Sequence, residues 1–583
     1  MLALLLVLAA STPFQDSLAQ IARGKGAESQ RLHRLFDLAW QYDNAEHPEL
    51  ATSRGVPGHN DRWTDNSLAA IDRRKREAIS LAEAVKSIDR GKLPAKDQLD
   101  YDLFRRNAEE DVEQDKYPRE LLAITQLAGP QYLSNTFDVM PARTARDYQD
   151  ILARLRGVPE RLLQTEALLK KGVETGVVVP RVVLRDVPAQ LEAQTPEDPL
   201  QAPILKVFVK LPEGVPDQAR ADALRIYQES IRPAFDGFRK YFTAEYLPRA
   251  RETIALTALP DGPAWYAQRV RRETTVDLSP QQIHQLGLSE VKRIRGEMEK
   301  VLGQVGFKGS LAQFAQFLRT DPRFYFTDAR DLVREYRDIA KRVDPELTRL
   351  FGKLPRLPYG VVEIPAFAAP SQTTAYYRQG SPQAHRPGSY YVNTYKLDTR
   401  PKWEMEALTL HESVPGHHLQ IAISQELDGV PEFRKISRYV AFVEGWGLYA
   451  ESLGPELGMY QDPYSRFGQL TYEMWRAIRL VVDTGMHALG WSREQAIDYF
   501  KENSAKTEHD IVVEIDRYIV MPGQALAYKI GELKLKELRA LTARELKSNF
   551  DIRAFHDAVL GSGALPLDVL ESRIRAYIAL QRR

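Results

Sequence analysis

A proline stands where a helix would have to continue. Leu408-Thr409-Leu410-His411-Glu412-Ser413-Val414-Pro415-Gly416-His417-His418-Leu419-Gln420 packs three of the chain's eleven histidines and one carboxylate into the eight residues from 411 to 418. Imidazole nitrogens and carboxylate oxygens are the usual donors of a zinc site with a position left open to water. The familiar form places two His at i and i+4 on one helix face, with a Glu beside the first as base. Here position +4 from His411 is Pro415. A regular helix turns about 100° per residue, so the histidine at +6 points about 240° away. The one at +7 shares the face of His411 but lies about 10 Å along the axis. Neither reaches an ion held by His411 unless the helix departs from regularity. Pro415 removes a backbone donor and Gly416 relaxes the chain, which predicts a helical bulge. A two-residue bulge brings His417 to the i+4 place and makes it the second ligand. A longer one brings His418 there instead.

A carboxylate follows at the right kind of distance. Glu444 lies 33 residues after His411, in Phe442-Val443-Glu444-Gly445-Trp446-Gly447-Leu448-Tyr449-Ala450-Glu451. Helix formers upstream of His411 predict a helix running into it. A second helix is predicted over 439–453, with Gly445 and Gly447 allowing close packing. His411, His417 and Glu444 then form a two-His, one-Glu set for a single Zn2+ ion, and Glu412 is the general base.

Composition narrows the alternatives. The chain has no cysteine, which excludes disulfides, thiol nucleophiles, thiolate ligands and a lipid-modified N-terminal cysteine. Eighty basic residues nearly cancel 79 acidic ones, so there is no electrostatic footprint for nucleic acid. At 583 residues more than one core is expected. The run Leu2-Ala3-Leu4-Leu5-Leu6-Val7-Leu8-Ala9-Ala10 resembles the core of a signal peptide over residues 1–20, without the usual basic start. That makes the protein an exported one of the periplasm or cell envelope, with no integral membrane segment in the mature chain. The expected domains are an N-terminal helical subdomain over 21–260 and a catalytic, metal-binding subdomain over 261–583. The boundary is drawn at the Pro- and Gly-rich stretch 256–264.

Most of the chain reads as amphipathic helix. Residues 172–216 read as loop with short extended pieces. Ser279-Pro280-Gln281-Gln282 is a helix start, with Ser as N-cap. Tyr359-Gly360-Val361-Val362-Glu363-Ile364 and Ser389-Tyr390-Tyr391-Val392-Asn393-Thr394-Tyr395 read as two strands. The fold class is therefore mainly α, a large multi-helix scaffold with a small β-sheet beside the metal-site helix. The second strand is a candidate edge that pairs with an extended peptide, through Tyr391 and Asn393.

The sequence resembles a bacterial family known as domain of unknown function 885, placed among zincin-like metallopeptidases. The matching pieces are His411-Glu412 through Pro415-Gly416-His417-His418-Leu419-Gln420, Glu444-Gly445-Trp446 with Tyr449 and Glu451, and Arg479-Leu480-Val481-Val482-Asp483-Thr484-Gly485-Met486-His487. Arg517-Tyr518, Pro522-Gly523-Gln524-Ala525 and Tyr528-Lys529-Ile530-Gly531 add to them. The histidine spacing also resembles the expanded motif of dipeptidyl peptidase III, one residue longer again. The resemblance implies a gluzincin-type third ligand at Glu444.

The expected function is that of a zinc-dependent peptidase acting on short peptides, with Glu412 taking a proton from water and delivering it to the leaving amine. Tyr528 and Arg517 are candidate donors to the oxyanion. His418 is a candidate substrate contact, and His487 and Asp483 are candidate supports behind Glu444. The rival functions are a zinc hydrolase of a non-peptide amide or ester, and a non-catalytic envelope binding protein that retains the fold.

Overall fold

A computed structural model of the chain describes residues 11–365, 369, 372–381, 386–437 and 439–582. It is mainly helical, with one three-stranded sheet. The chain divides into two compact units, Met1–Thr253 and Ile254–Arg583. The division falls between residues 253 and 254, a few residues before the expected boundary at 260.

The first unit is built on amphipathic helices. Helix α1 (Pro13–Arg23) opens with a capping box between Thr12 and Gln15, which satisfies backbone donors at its exposed start. It buries Phe14, Leu18 and Ile21. The Phe14 ring stacks on Tyr42 of α2 (Glu28–Glu46) at 3.8 Å, and Thr12 Oγ1 donates to Glu77 of α3 (Leu68–Lys86) at 2.6 Å. The expected leader over 1–20 falls partly on these residues. Residues 1–10 lie outside the described residues, but 12–20 belong to the folded body. Of the extended pieces expected within 172–216, the run ending at Pro180 makes an isolated parallel bridge with Arg251, whose N–H bonds the Val179 carbonyl at 3.3 Å. Val182, Val183 and Leu184 form a 3-10 turn at Arg181–Leu184 after Pro180, and Pro203–Phe208 forms another. Proline's fixed φ and missing N–H favour such turns over a paired strand.

The second unit holds the histidine cluster. Its longest helices are α4 (Pro280–Gln304) and α8 (Pro463–Ala488). Ser279 caps α4 through a box with Gln282, as the sequence predicts. The two helices approach closely at Gly287, where a Cβ would come within 2.7 Å of Leu480 Cβ. The strands are β1 (Tyr359–Glu363), β2 (Ala375–Arg378) and β3 (Gly388–Val392). β1 pairs parallel with β3, and β2 antiparallel with it. The predicted Tyr390–Tyr391 strand is therefore central, not an edge. β1 forms one edge, and β2, in the Pro-, Gly- and Ser-rich gap where no strand is expected, forms the other.

Between sheet and helices run α5 (Met405–Glu412), α6 (His417–Gln425) and α7 (Val440–Ser452). Helices α9 (Glu508–Val520) and α10 (Ala527–Leu546) complete the surroundings. Gly445 of α7 lies against Gly531 of α10, so close that a Cβ on either would overlap the other's backbone. Glycine at this contact is set by space rather than by turn conformation. No helix among the described residues is long and apolar enough to cross a membrane.

Candidate metal centre

The histidine helix breaks rather than bulges. α5 ends at Glu412, and Ser413 returns both its N–H (2.9 Å) and its Oγ–H (2.7 Å) to the Thr409 carbonyl. A turn through a cis Val414–Pro415 bond leads to α6, whose His418 N–H bonds the Ser413 carbonyl at 3.0 Å. A Cβ at Gly416 would collide with the carbonyls of Leu410 and His411, so the turn admits only glycine there. Trp446 Nε1 donates to the Pro415 carbonyl at 2.7 Å and pins the turn to α7. The expected single bulged helix is thus corrected to two short helices. A four-residue turn does what a bulge was expected to do: it folds His417 back toward His411.

His411, His417 and Glu444 each present one ligand atom, and the three atoms lie within 4.8 Å of one another. Glu444 Oε2 is 3.7 Å from His411 Nε2 and 3.5 Å from His417 Nε2. The imidazoles stand nearly perpendicular, at 84°. These separations exceed ordinary hydrogen bonds. They approach the edge of a tetrahedron with bonds of about 2.1 Å, which is about 3.4 Å. The donor set and its spacing could hold a metal ion. His411 Nδ1 lies 2.7 Å from Glu451 Oε1, a full two turns along α7 from Glu444. That contact fixes the ring so that Nε2 faces the cluster. Burial opposes protonation of His411, but the carboxylates of Glu444 and Glu451 outweigh it and raise its pKa to about 9. Burial would raise Glu444, yet the two imidazoles hold it well below the usual carboxylate range. A divalent cation would take the place of those protons.

His418 belongs elsewhere. Its Nδ1 is 2.9 Å from the Tyr377 hydroxyl, and its ring lies 4.5 Å from that of Tyr359. Burial pushes its pKa down to about 4. It braces β1 and β2 against α6. Glu412, on the last turn of α5, accepts a 2.9 Å hydrogen bond from the backbone N–H of Tyr377. That N–H points away from β3, so the strand beside Glu412 is β2. Of the residues expected to contact substrate, Asn393 is buried and its Nδ2 donates to the carbonyls of Ala369, Gln372 and Thr373 at 2.9, 3.1 and 3.1 Å. It shapes the loop before β2. Tyr391 stacks on Tyr376 at 4.9 Å, across the β2–β3 pair.

The C-terminal candidates divide. Tyr528, at the start of α10, is close enough for the charge of Glu444 to raise its pKa, in addition to burial, while the Arg479 guanidinium 4.4 Å over its ring opposes the rise. Its hydroxyl makes no hydrogen bond among the described residues. Arg517 is engaged, with Glu514 at 3.0 Å and Gln524 at 2.9 Å. His487 accepts from the Leu256 N–H at 3.0 Å and lies 3.0 Å from the Tyr518 carbonyl. Asp483 accepts from the Tyr266 hydroxyl at 2.6 Å and from the Gly523 N–H at 3.1 Å. Both hold loops and not Glu444. The residues that sequence reasoning left without a role are Glu451 and Tyr377. Glu451 was detectable, because position +7 from Glu444 returns to the same helix face. Tyr377 was not, because no strand pattern marks β2.

Fold and cluster together define a mainly helical protein with a candidate metal centre at a broken histidine helix. Residues 48–574 match the bacterial family described as protein of unknown function (DUF885), and the chain belongs to that family. Among solved structures it is similar to a candidate lipoprotein from Colwellia psychrerythraea, with a TM-score of 0.88 and 28% identity over 95% of this chain and 100% of that one. A candidate lipoprotein of unknown function from Shewanella oneidensis shares the fold, with a TM-score of 0.70 and 17% identity over 94% of this chain and 99% of that one. No curated protein matches.

Proposed function

We propose that the protein is a metal-dependent hydrolase of the cell envelope that cleaves peptide bonds in short peptides. One observation carries the reading. Three ligand atoms converge within 4.8 Å, and the residue next to the first of them, Glu412, is a carboxylate already oriented by the Tyr377 N–H. A structural metal needs no such neighbour. His411, His417 and Glu444 would hold the zinc, which would supply Lewis acidity and lower the pKa of water. Glu412 is placed to take a proton from an attacking water and hand it to the amine that leaves. The hydrogen bond from Tyr377 occupies one oxygen of Glu412 and leaves the other for this work. The Tyr528 hydroxyl donates to the carbonyl oxygen as negative charge develops on it. Envelope placement is supported by the description of the Colwellia psychrerythraea relative as a candidate lipoprotein.

The test is metal content together with turnover of a mixed short-peptide pool. Wild type should carry about one zinc, kept in His418→Ala and lost in His411→Ala, His417→Ala and Glu444→Ala. Glu412→Gln should keep zinc and lose hydrolysis by about 10²-fold or more. Failure of zinc-loaded wild type to cleave any peptide while it cleaves small amides or esters would move the reading to a non-peptide hydrolase. Full activity in Glu412→Gln would reject the assigned base.

A further inference from the structure

We propose that Arg476 and Arg479 form a carboxylate-binding subsite beside the metal centre, one that takes the free C-terminal carboxylate of a short peptide. The inference rests on the peptidase reading and assigns its cleavage mode, removal of residues from the C-terminal end.

The two arginines lie three residues apart on α8, and therefore on one face. They are 6% and 4% exposed. Arg476 gives Nη1 to the Tyr472 carbonyl at 3.3 Å and approaches Glu451 Oε1 with Nη2 at 3.8 Å. Its Nε is buried with no acceptor among the described residues. Arg479 gives Nε to the Tyr518 hydroxyl at 2.8 Å and Nη2 to Glu514 at 3.2 Å. Its Nη1 is likewise buried without an acceptor. A buried donor of a charged group left unpaired is costly, and two on adjacent guanidinium groups make the pair a ready acceptor site for an anion. The charges agree. Glu514 is divided between Arg479 and Arg517, and Glu451 between Arg476 and His411. Three arginines thus share two carboxylates, one of which also serves a histidine.

Position links this excess to the reaction. Both guanidinium carbons lie over the Tyr528 ring, at 4.4 Å for Arg479 and 6.0 Å for Arg476. Glu451 joins Arg476 directly to the ligand His411. The arginines are therefore one side chain away from the metal ligands. Guanidinium forks match the planar carboxylate. A chain end offers that group whatever its side chain, and a site this enclosed suits an end better than the middle of a chain. An acidic side chain carries the same group, and the test separates the two sources.

Binding is read on the catalytically silent Glu412→Gln protein, loaded with zinc, by titration calorimetry. The probes are N-acetyl-dialanine, its C-terminal amide, and the amide of N-acetyl-alanyl-glutamate. The free acid should bind at least tenfold more tightly than both amides, and Arg479→Gln in the same background should bring the three within about twofold. Arg476→Gln and Arg479→Lys repeat the measurement, so that misfolding of one variant does not decide it. Equal binding of acid and amide, no binding of the acid, or discrimination kept in the folded arginine variants would overturn the subsite. Preference for the glutamyl amide over the free acid would overturn the chain-end assignment. Turnover by wild type is scored separately: cleavage of acids and amides alike removes the subsite and leaves the peptidase reading standing.

Discussion

Glu451 Oε1 lies 2.7 Å from His411 Nδ1, and both side chains are fully enclosed. Glu444 and Glu451 stand seven residues apart on α7, so one helix supplies both a ligand candidate and the group that aims another. Supports of this kind typically change metal affinity by about 10–100-fold. Glu451→Gln keeps an oxygen acceptor and should weaken zinc by about tenfold, and Glu451→Ala by closer to a hundredfold. Competition with a chromogenic chelator measures both. Affinity unchanged in Glu451→Ala would reject the orienting role.

Gly447 faces the same imidazole. A Cβ there would stand 2.7 Å from His411 Cε1 and 2.9 Å from Nε2. Gly447→Ala should therefore displace the ring and lower zinc affinity, with only a modest loss of stability. Gly445→Ala meets the Gly531 backbone instead. It should destabilise the unit by about 1–3 kcal/mol, as overpacking does, and affect zinc less. Thermal melting with and without zinc separates the two. The same pattern in both variants would mean that Gly447 serves packing alone.

The contrast shows what the sequence could and could not convey. His411, Glu412, His417 and Glu444 were legible, because donor type and spacing limit a metal site more tightly than packing limits a core. The break at Pro415-Gly416 was legible as a departure from helix but not in its form. That form depends on Trp446 holding the Pro415 carbonyl, a contact between residues 31 positions apart. β2 was illegible because its register comes from β3 and its outward N–H from Glu412, neither of which leaves a local pattern in Ala375–Arg378. Asn393 misled for a related reason. Polar residues near a site suggest ligand contact, yet this one spends both amide protons on three loop carbonyls.

Tyr528 has a hydroxyl without a hydrogen-bond partner among the described residues, beside Glu444 and under Arg479. Removing one donor that acts on developing charge costs about 10²–10³ in kcat. Tyr528→Phe should show that loss with KM and zinc content nearly unchanged. Loss confined to KM would make the hydroxyl a ground-state binding group instead.

Asp483 ties Tyr266 to the Gly523 turn that leads into α10 and Tyr528. Burial raises its pKa from 3.8 to about 7, against the hydrogen bonds from Tyr266 and Gly523. The native state then holds a proton that the unfolded chain has released between those two values. Its contribution to stability is complete below 3.8 and is lost as pH rises toward and through 7. Asp483→Asn keeps an acceptor but cannot titrate, so its stability should lack this decline. His418 and His556, whose pKa values burial lowers to about 4 and about 3, act in the opposite sense: they stabilise as pH rises toward the imidazole value. They are common to both proteins and cancel in the comparison. Melting temperatures of wild type and Asp483→Asn across about pH 5 to 8 should therefore diverge, with wild type falling relative to the variant as pH rises. Parallel curves would mean that Asp483 is ionised throughout, with the Tyr266 and Gly523 hydrogen bonds outweighing its burial.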